Sequence, residues 1–319
     1  MEIIPHSQAW LDARRTGIGG SDIAALLGLH PYKTPTDVYL DKTGQAEHQK
    51  AGEAAYWGTV LENIVAQEFA DRTGKKIQRV NQILIHPSYQ FAIANIDRAI
   101  VNPDISGTVR WKNDRLTTDQ LLECKTANAF LGKLYGDEGS DEIPWNYLAQ
   151  CQWYMGVTGA TVCHLAVLIG GQRFKTYMIE RNDQAITDMI EVAAGFWKSN
   201  VQAGVAPDPS TCREAAQKYG RHITGKMAIV GVEIAEACMS IAEIQAQMKT
   251  LEREEESLKL RVMMAMGDAE VAAHMGKAVA TWKTQIQNRL DLDRIKQDNP
   301  EFAEKYKKPI ESRVFRLKK

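Results

Sequence analysis

The sequence predicts an α/β or α+β core, with a mixed sheet flanked by helices, followed by a helical C-terminal region. Three observations predict it. Short apolar runs cluster at 83–125 and again at 161–179, between segments with helical periodicity. A proline- and glycine-rich break, Gly204–Pro209, ends this mixed pattern. Beyond it the apolar residues adopt a heptad-like spacing.

In chain order, Gly19–Leu27 reads as a loop entering a helix, with Ser21 or Asp22 as its cap. Gly58–Thr73 reads as a helix whose apolar face is Val60, Ile64, Val65, Ala66 and Phe69, and Gly74 is its stop. Ile83–His86, Phe91–Ile100 and Leu121–Lys125 are strand candidates. Trp145–Met155 reads as a buried helix. Thr161–Ile169 and Phe174–Ile179 read as a strand pair joined through Gly170–Gly171, and Asp183–Val201 as a helix. After the break, Ile241, Ile244, Met248, Leu251, Leu258 and Val262 form a stripe interrupted at Glu255. That predicts one long amphipathic or coiled-coil helix over Val232–Met266. A hairpin around Met275–Gly276–Lys277, a short helix from Leu292 and a terminal strand, 311–319, complete the reading. The expected domains are 1–205 and 206–319.

The 319 residues contain 44% hydrophobic and 25% charged residues, an ordinary globular composition. No run reaches the roughly 18 apolar residues of a membrane span. The N-terminus lacks a cationic segment followed by an apolar run, so no signal peptide is expected, and the expected location is cytoplasmic. The five cysteines have no C-x-x-C spacing, which argues against zinc or an iron–sulfur cluster; they read as reduced packing residues. Net charge is −1. Residues 207–319 carry 20 basic and 17 acidic side chains, leaving 19 and 23 for residues 1–206. A nucleic-acid role therefore has to rest on a local site rather than on global charge.

Such a site centres on Glu123–Cys124–Lys125. In a strand, residues two apart share a face, so the carboxylate and the ammonium stand together and Cys124 points away into packing. Taken alone, E-x-K is common, and its bland counterpart is a surface ion pair worth under ~1 kcal/mol. Leu121 and Leu122, however, carry this strand into an apolar core. Asp97 lies at the polar end of the apolar run FAIANID, about a hairpin upstream. Asp97, Glu123 and the Cys124 backbone carbonyl form an all-oxygen donor set suited to Mg²⁺ or Mn²⁺. Glu62, on the predicted helix, is a further acid for the metals or their water shell; its bland counterpart is a solvated helix residue.

These residues, taken with others in order, resemble a family. Arg15-Thr16-Gly17-Ile18-Gly19-Gly20-Ser21-Asp22 is followed by Trp57-Gly58-x₃-Glu62. Then come Asp97, Glu123-x-Lys125 and Tyr147-Leu148-Ala149-Gln150-Cys151-Gln152. The pattern, over about 8–205, resembles the lambda-exonuclease-like (YqaJ) phage-type exonucleases of the PD-(D/E)XK nuclease superfamily. One departure is Arg98 directly after Asp97. The resemblance implies a restriction-endonuclease-like core. It implies that Asp97 and Glu123 bind metal, that Lys125 positions the attacking water, and that Glu62 and Gln150 support the site. It also implies that Arg15 and Ser21 contact DNA phosphate. Chemically, guanidinium suits phosphate, and a Gly-Gly-Ser turn opening a helix can offer N–H groups to an anion. Trp145, Trp153 and Tyr154 allow base stacking but read first as core.

The implied activity is an Mg²⁺-dependent exonuclease of phage or prophage origin, resecting linear duplex DNA 5′ to 3′ for a single-strand annealing protein. The implied assembly is a ring, often a trimer. A related endonuclease or repair nuclease is one alternative; a catalytically inactive DNA-binding adaptor is another, disfavoured by the intact Asp97, Glu123 and Lys125.

Overall fold

Helices α1 (Gln8–Arg15), α2 (Gly20–Leu26) and α3 (Pro35–Lys42) open the chain in a computed structural model describing residues 8–46, 52–288, 290–308 and 313–317. Pro35 begins α3, where its fixed φ is already helical, and the Thr34 hydroxyl caps it by accepting from the Asp37 N–H at 3.2 Å. The long helix α4 (Glu53–Thr73) starts before the expected Gly58 and ends where expected, at Gly74 with φ 66°. Only Val65, Ala66 and Phe69 of its predicted apolar face are buried; Val60 and Ile64 are exposed.

The strands follow: β1 (Ile77–Arg79), β2 (Leu84–Ile85), β3 (Ile93–Ala94), β4 (Arg98–Ile100), β5 (Trp111–Lys112), β6 (Arg115–Leu116) and β7 (Gln120–Ala127). The run expected as one strand, Phe91–Ile100, is two. β3 pairs with β2, β4 pairs with β7, and Asn95–Asp97 lies between as irregular backbone. Helix α5 (Trp145–Thr158), strands β8 (Val162–Ile169) and β9 (Arg173–Glu180), and helix α6 (Asp183–Phe196) complete the layers. Gly170 and Gly171, at φ 62° and 73°, make the turn between β8 and β9. A π-helical stretch, Trp197–Gln202, prolongs α6.

The central sheet has the order β1-β4-β7-β8-β9. β7 and β8 are parallel and the other neighbours antiparallel, so the sheet is mixed, as expected. α5 supplies the crossover that a parallel pair requires. The alternation of β7 divides the core. Leu122 and Cys124 pack with Val65, Ala66 and Phe69 of α4. Leu121 faces the larger cluster that contains Trp153 and Met155 of α5 and Ile23 of α2.

The chain divides into two compact units, 1–215 and 216–319. Helix α7 (Cys212–Lys218) crosses that boundary. Within the second unit α8 (Val232–Met266) is a single helix of 35 residues. β10 (Val271–His274) and β11 (Lys277–Thr281) form the expected hairpin, and Met275 and Gly276 take φ 48° and 76° in its turn. Helices α9 (Leu292–Asp298) and α10 (Pro300–Lys305) follow. Of the expected terminal strand over 311–319, residues 313–317 are irregular, and the rest lies outside the described residues. Cys124, Cys151 and Cys163 are packing residues, whereas Cys212 is exposed; all five thiols are free. No helix among the described residues is long and apolar enough to cross a membrane.

Candidate active site

β7 and the irregular step before β4 build the site. The register Arg98↔Leu122 brings Asp97, one residue earlier, beside the continuing β7. There Asp97 Oδ2 accepts the Cys124 N–H at 2.8 Å. Glu123 and Lys125 share the α5 face of β7, and Lys125 Nζ lies 2.6 Å from Glu123 Oε1. Gln150, one turn before Tyr154 on α5, donates its amide to the same Oε1 at 2.6 Å and has Tyr154 Oη 2.9 Å away. Lys125 Nζ is also 4.9 Å from the Tyr147 ring centroid, a cation–π distance. The other carboxylate oxygen, Glu123 Oε2, is buried with no hydrogen-bond partner.

Electrostatics sharpen this picture. Burial first, and the Glu123 charge second, push the Asp97 carboxyl well above its usual range. Burial also raises Glu123, against the pull of Lys125. Burial alone would lower Lys125, but the charges of Glu123 and Asp97 outweigh it and hold the ammonium. Two crowded carboxylates, Glu123 buried and Asp97 half-buried, thus share one lysine.

An excess negative charge and an orphaned acceptor are what a hard divalent cation relieves. The donors present fit such an ion: Asp97, Glu123 and the Cys124 carbonyl. Among the described residues there is no metal-binding group of three His, Cys, Asp or Glu side chains. Glu62 lines the same cleft, but Arg98 Nη1 holds its Oε1 at 2.7 Å, and Arg98 also donates to Asn63. Arg98, directly after Asp97, therefore ties α4 to the site.

The cleft, about 390 Å³, is lined by Glu62, Asp97, Glu123, Lys125 and Gln150, and also by Ser21. Arg15 does not line it; Arg15 pairs with Asp12 at 2.9 Å. Arg14 lines it instead, one residue round the helix, with its guanidinium 4.6 Å from the Trp10 ring centroid and 3.5 Å from Ser21 Oγ. Arg14 and Ser21 sit on different helices, α1 and α2, so their spacing in the sequence carries no signal that separates Arg14 from Arg15.

The N-terminus of α2 is not an open anion site. Gly19 is its cap, and its N–H is taken by Asp22 Oδ2 at 2.9 Å. Asp22 is thus an N3 residue, not the expected cap. It is fully buried and bound at 2.6 Å by both Lys33 and Lys42. Burial would raise Asp22, but Lys42, Lys33 and Arg14 outweigh it and hold the carboxyl well below its usual range. Lys42 Nζ also donates to the Arg14 carbonyl at 3.0 Å. Gly20 is required by closeness: a Cβ there would come within 2.7 Å of Gln150 Cγ. Of the three aromatics considered for stacking, Trp153 and Tyr154 are core and Trp145 is 70% exposed.

Residues 9–161 match the family profile of the YqaJ-like viral recombinase domain. The YqaJ protein of Bacillus subtilis (strain 168) is 37% identical over 316 residues, 97% of this chain and 93% of that protein. Among solved structures, the alkaline exonuclease LHK-Exo from Laribacter hongkongensis is 18% identical with a TM-score of 0.47, over 66% of this chain and 100% of that one. A phage-related exonuclease from Haemophilus somnus is 12% identical with a TM-score of 0.43, over 59% and 94%. With a relative this similar along nearly its whole length, and the family profile matched over the segment that carries the cleft, the chain belongs to the YqaJ-like viral recombinase family.

Proposed function

We propose that this chain is a metal-dependent deoxyribonuclease that resects linear duplex DNA 5′ to 3′, leaving 3′ single strands. The observation that carries the reading is the trio of buried Glu123 with half-buried Asp97 and Lys125, braced by Gln150, in a cleft that also presents Arg14 and Ser21. Asp97, Glu123 and the Cys124 carbonyl would hold Mg²⁺ or Mn²⁺; when bound, the ion supplies Lewis-acid polarisation of the phosphoryl oxygen and lowers the cost of generating the nucleophile.

The remaining work falls to the chain. Lys125, held as an ammonium against Glu123, donates to the attacking water and to charge developing on the phosphoryl group. Gln150 keeps Glu123 in one rotamer. Arg14 and Ser21 grip a phosphate near the end of the strand. Water adds to phosphorus, the P–O3′ bond breaks, and the departing O3′ takes up a proton. The family's description as a viral recombinase fits a product handed to a single-strand annealing protein. The exposed apolar stripe of α8 is a surface on which that partner, or a second copy in a ring-shaped oligomer, can dock.

End-labelled linear duplex incubated with and without Mg²⁺ tests this reading. Metal-dependent release of the 5′ label, with a covalently closed circle left intact, is the expected result. Cleavage of the circle would move the assignment to an endonuclease. No cleavage of either, with DNA still bound, would move it to an adaptor.

A further inference from the structure

A second groove, about 170 Å³, adjoins the catalytic cleft and shares Arg79, Val80 and Asn81 with it. Its other wall is the segment leading into β5, with Arg110 and Trp111. No acidic side chain lines it, although Arg79 Nη2 stands 3.9 Å from Glu62 Oε1 in the adjoining cleft; its polar groups are two guanidiniums and the amides of Gln78, Asn81 and Gln82. The two walls are fastened together. Gln78 Nε2 donates to the Val109 carbonyl at 2.7 Å, and the Val109 N–H donates to Gln78 Oε1 at 3.0 Å. Behind it, Trp111 packs against the main core, and the β5–β6 hairpin turns through Asn113 and Asp114, both at positive φ. The groove is therefore a preformed feature of rigid elements, and the function derived above leaves it unused.

Guanidiniums for a phosphate backbone, an aromatic face for a base and the amides of Asn81 and Gln82 for base edges are the chemistry of a single-strand track. A duplex keeps its base faces stacked and offers none to Trp111. We propose that this groove binds the single-stranded stretch of DNA next to the phosphate held in the catalytic cleft. Trp111 stacks on a base there, and Arg79 and Arg110 pair with the backbone. The proposal rests on the nuclease reading of the cleft and extends it to the path of the strand.

Anisotropy of a dye-labelled oligothymidylate and of a blunt duplex of the same length, measured on the full chain in EDTA, tests it without cleavage. Trp111→Leu keeps the apolar packing and removes the stacking face. It should weaken single-strand binding on the order of tenfold and leave the duplex unaffected, while Trp111→Tyr keeps most of the affinity. Arg110→Ala should lower the slope of log affinity against log salt by about one. Unchanged single-strand binding in Trp111→Leu and Arg110→Ala, or an equal loss on single strand and duplex, would overturn the groove's assignment. Wild-type cleavage with Mg²⁺ is read separately, so failure of the groove and failure of the nuclease reading are distinguishable.

Discussion

Lys125 Nζ and Gln150 Nε2 both lie 2.6 Å from one oxygen of Glu123, and the other oxygen of that carboxylate is buried without a partner. A carboxylate satisfied on one side only, with a second raised carboxyl beside it, is a site that costs folding stability while empty. Asp97→Asn and Glu123→Gln should therefore abolish Mg²⁺-dependent cleavage while raising the melting temperature in EDTA by a few degrees, about 2–4 °C per kcal/mol in a chain of this size. Wild type should gain stability on adding Mg²⁺ and the variants should not. Thermal melts with and without Mg²⁺ check this. An equal Mg²⁺ response in Asp97→Asn would remove Asp97 from the donor set.

In the proposed reaction Lys125 acts on the chemical step rather than on binding. Lys125→Ala should slow turnover at saturating DNA by about 10²–10⁴ with little change in DNA affinity. Lys125→Arg should not restore the rate, because a planar fork cannot take the place of an ammonium seated against Glu123. Single-turnover rates measured beside equilibrium binding separate the two effects. A collapse of affinity with the rate intact would make Lys125 a phosphate contact only.

The strand pattern around Leu121–Lys125 was readable because the two faces of β7 differ in chemistry, and the pairing of Glu123 with Lys125 follows from strand alternation alone. Gln150 is placed by motif order, and in the structure it reaches Glu123 from the next helix by a hydrogen bond. The run Phe91–Ile100 reads as one strand because Ile93, Ile96 and Ile100 look alike in sequence, yet the chain leaves β3 and joins a different sheet at β4. Lys42 was invisible for a different reason. A lysine in a helix reads as solvated, and only a long-range partner, Asp22, makes its burial tolerable. Arg14 and Arg15 are neighbours, and only the rotation of α1 decides which one faces the cleft.

That rotation gives a prediction. Arg14→Ala should reduce use of 5′-phosphorylated ends more than of 5′-hydroxyl ends, because a guanidinium next to Ser21 matches a terminal phosphate. Arg15→Ala, which releases only Asp12, should leave that ratio near the wild-type value. Initial rates on the two ends, compared across both variants, check this. The same loss of discrimination from Arg15→Ala would mean that α1 turns on binding DNA.

Asp22 and Lys42 form a buried ion pair beneath that corner of the cleft. Lys42→Met should destabilise the chain by about 3–5 kcal/mol, since it leaves Asp22 with less compensation. Asp22→Asn combined with Lys42→Met should recover part of that loss. The pH sign follows from the depressed Asp22 pKa. Stability from the ionised carboxylate is fully present above its unfolded value of about 3.9 and is lost as pH falls toward the lower folded value. Wild type should then lose more stability between pH 5 and pH 3 than Asp22→Asn does, roughly speaking by the share that Asp22 contributes. Parallel acid melts of the two proteins would refute the assignment.

The last prediction concerns where the catalytic unit ends. The expected boundary at 205 falls short of a contact that belongs to the first unit: Glu214 accepts from the Ser210 hydroxyl at 2.9 Å and from Thr34, the cap of α3. A chain ending at Val205 loses that anchor, while one ending at Gly220 keeps it and the whole of α7. All the proposed catalytic residues precede both cuts. In the second unit, Met266 is the only buried residue among those described, and Ile244, Met248, Leu251, Leu258 and Val262 of α8 are exposed. A segment with so little core of its own gains its stability from what it packs against. The 1–220 chain should therefore retain Mg²⁺-dependent cleavage, melt higher than the 1–205 chain by the value of a helix cap, about 1 kcal/mol, and lose association with any partner that the full chain binds. Calorimetry on the two truncations, with cleavage and partner binding measured beside the full chain, decides it. A dead 1–220 chain that is folded would show that residues beyond 220 complete the catalytic unit.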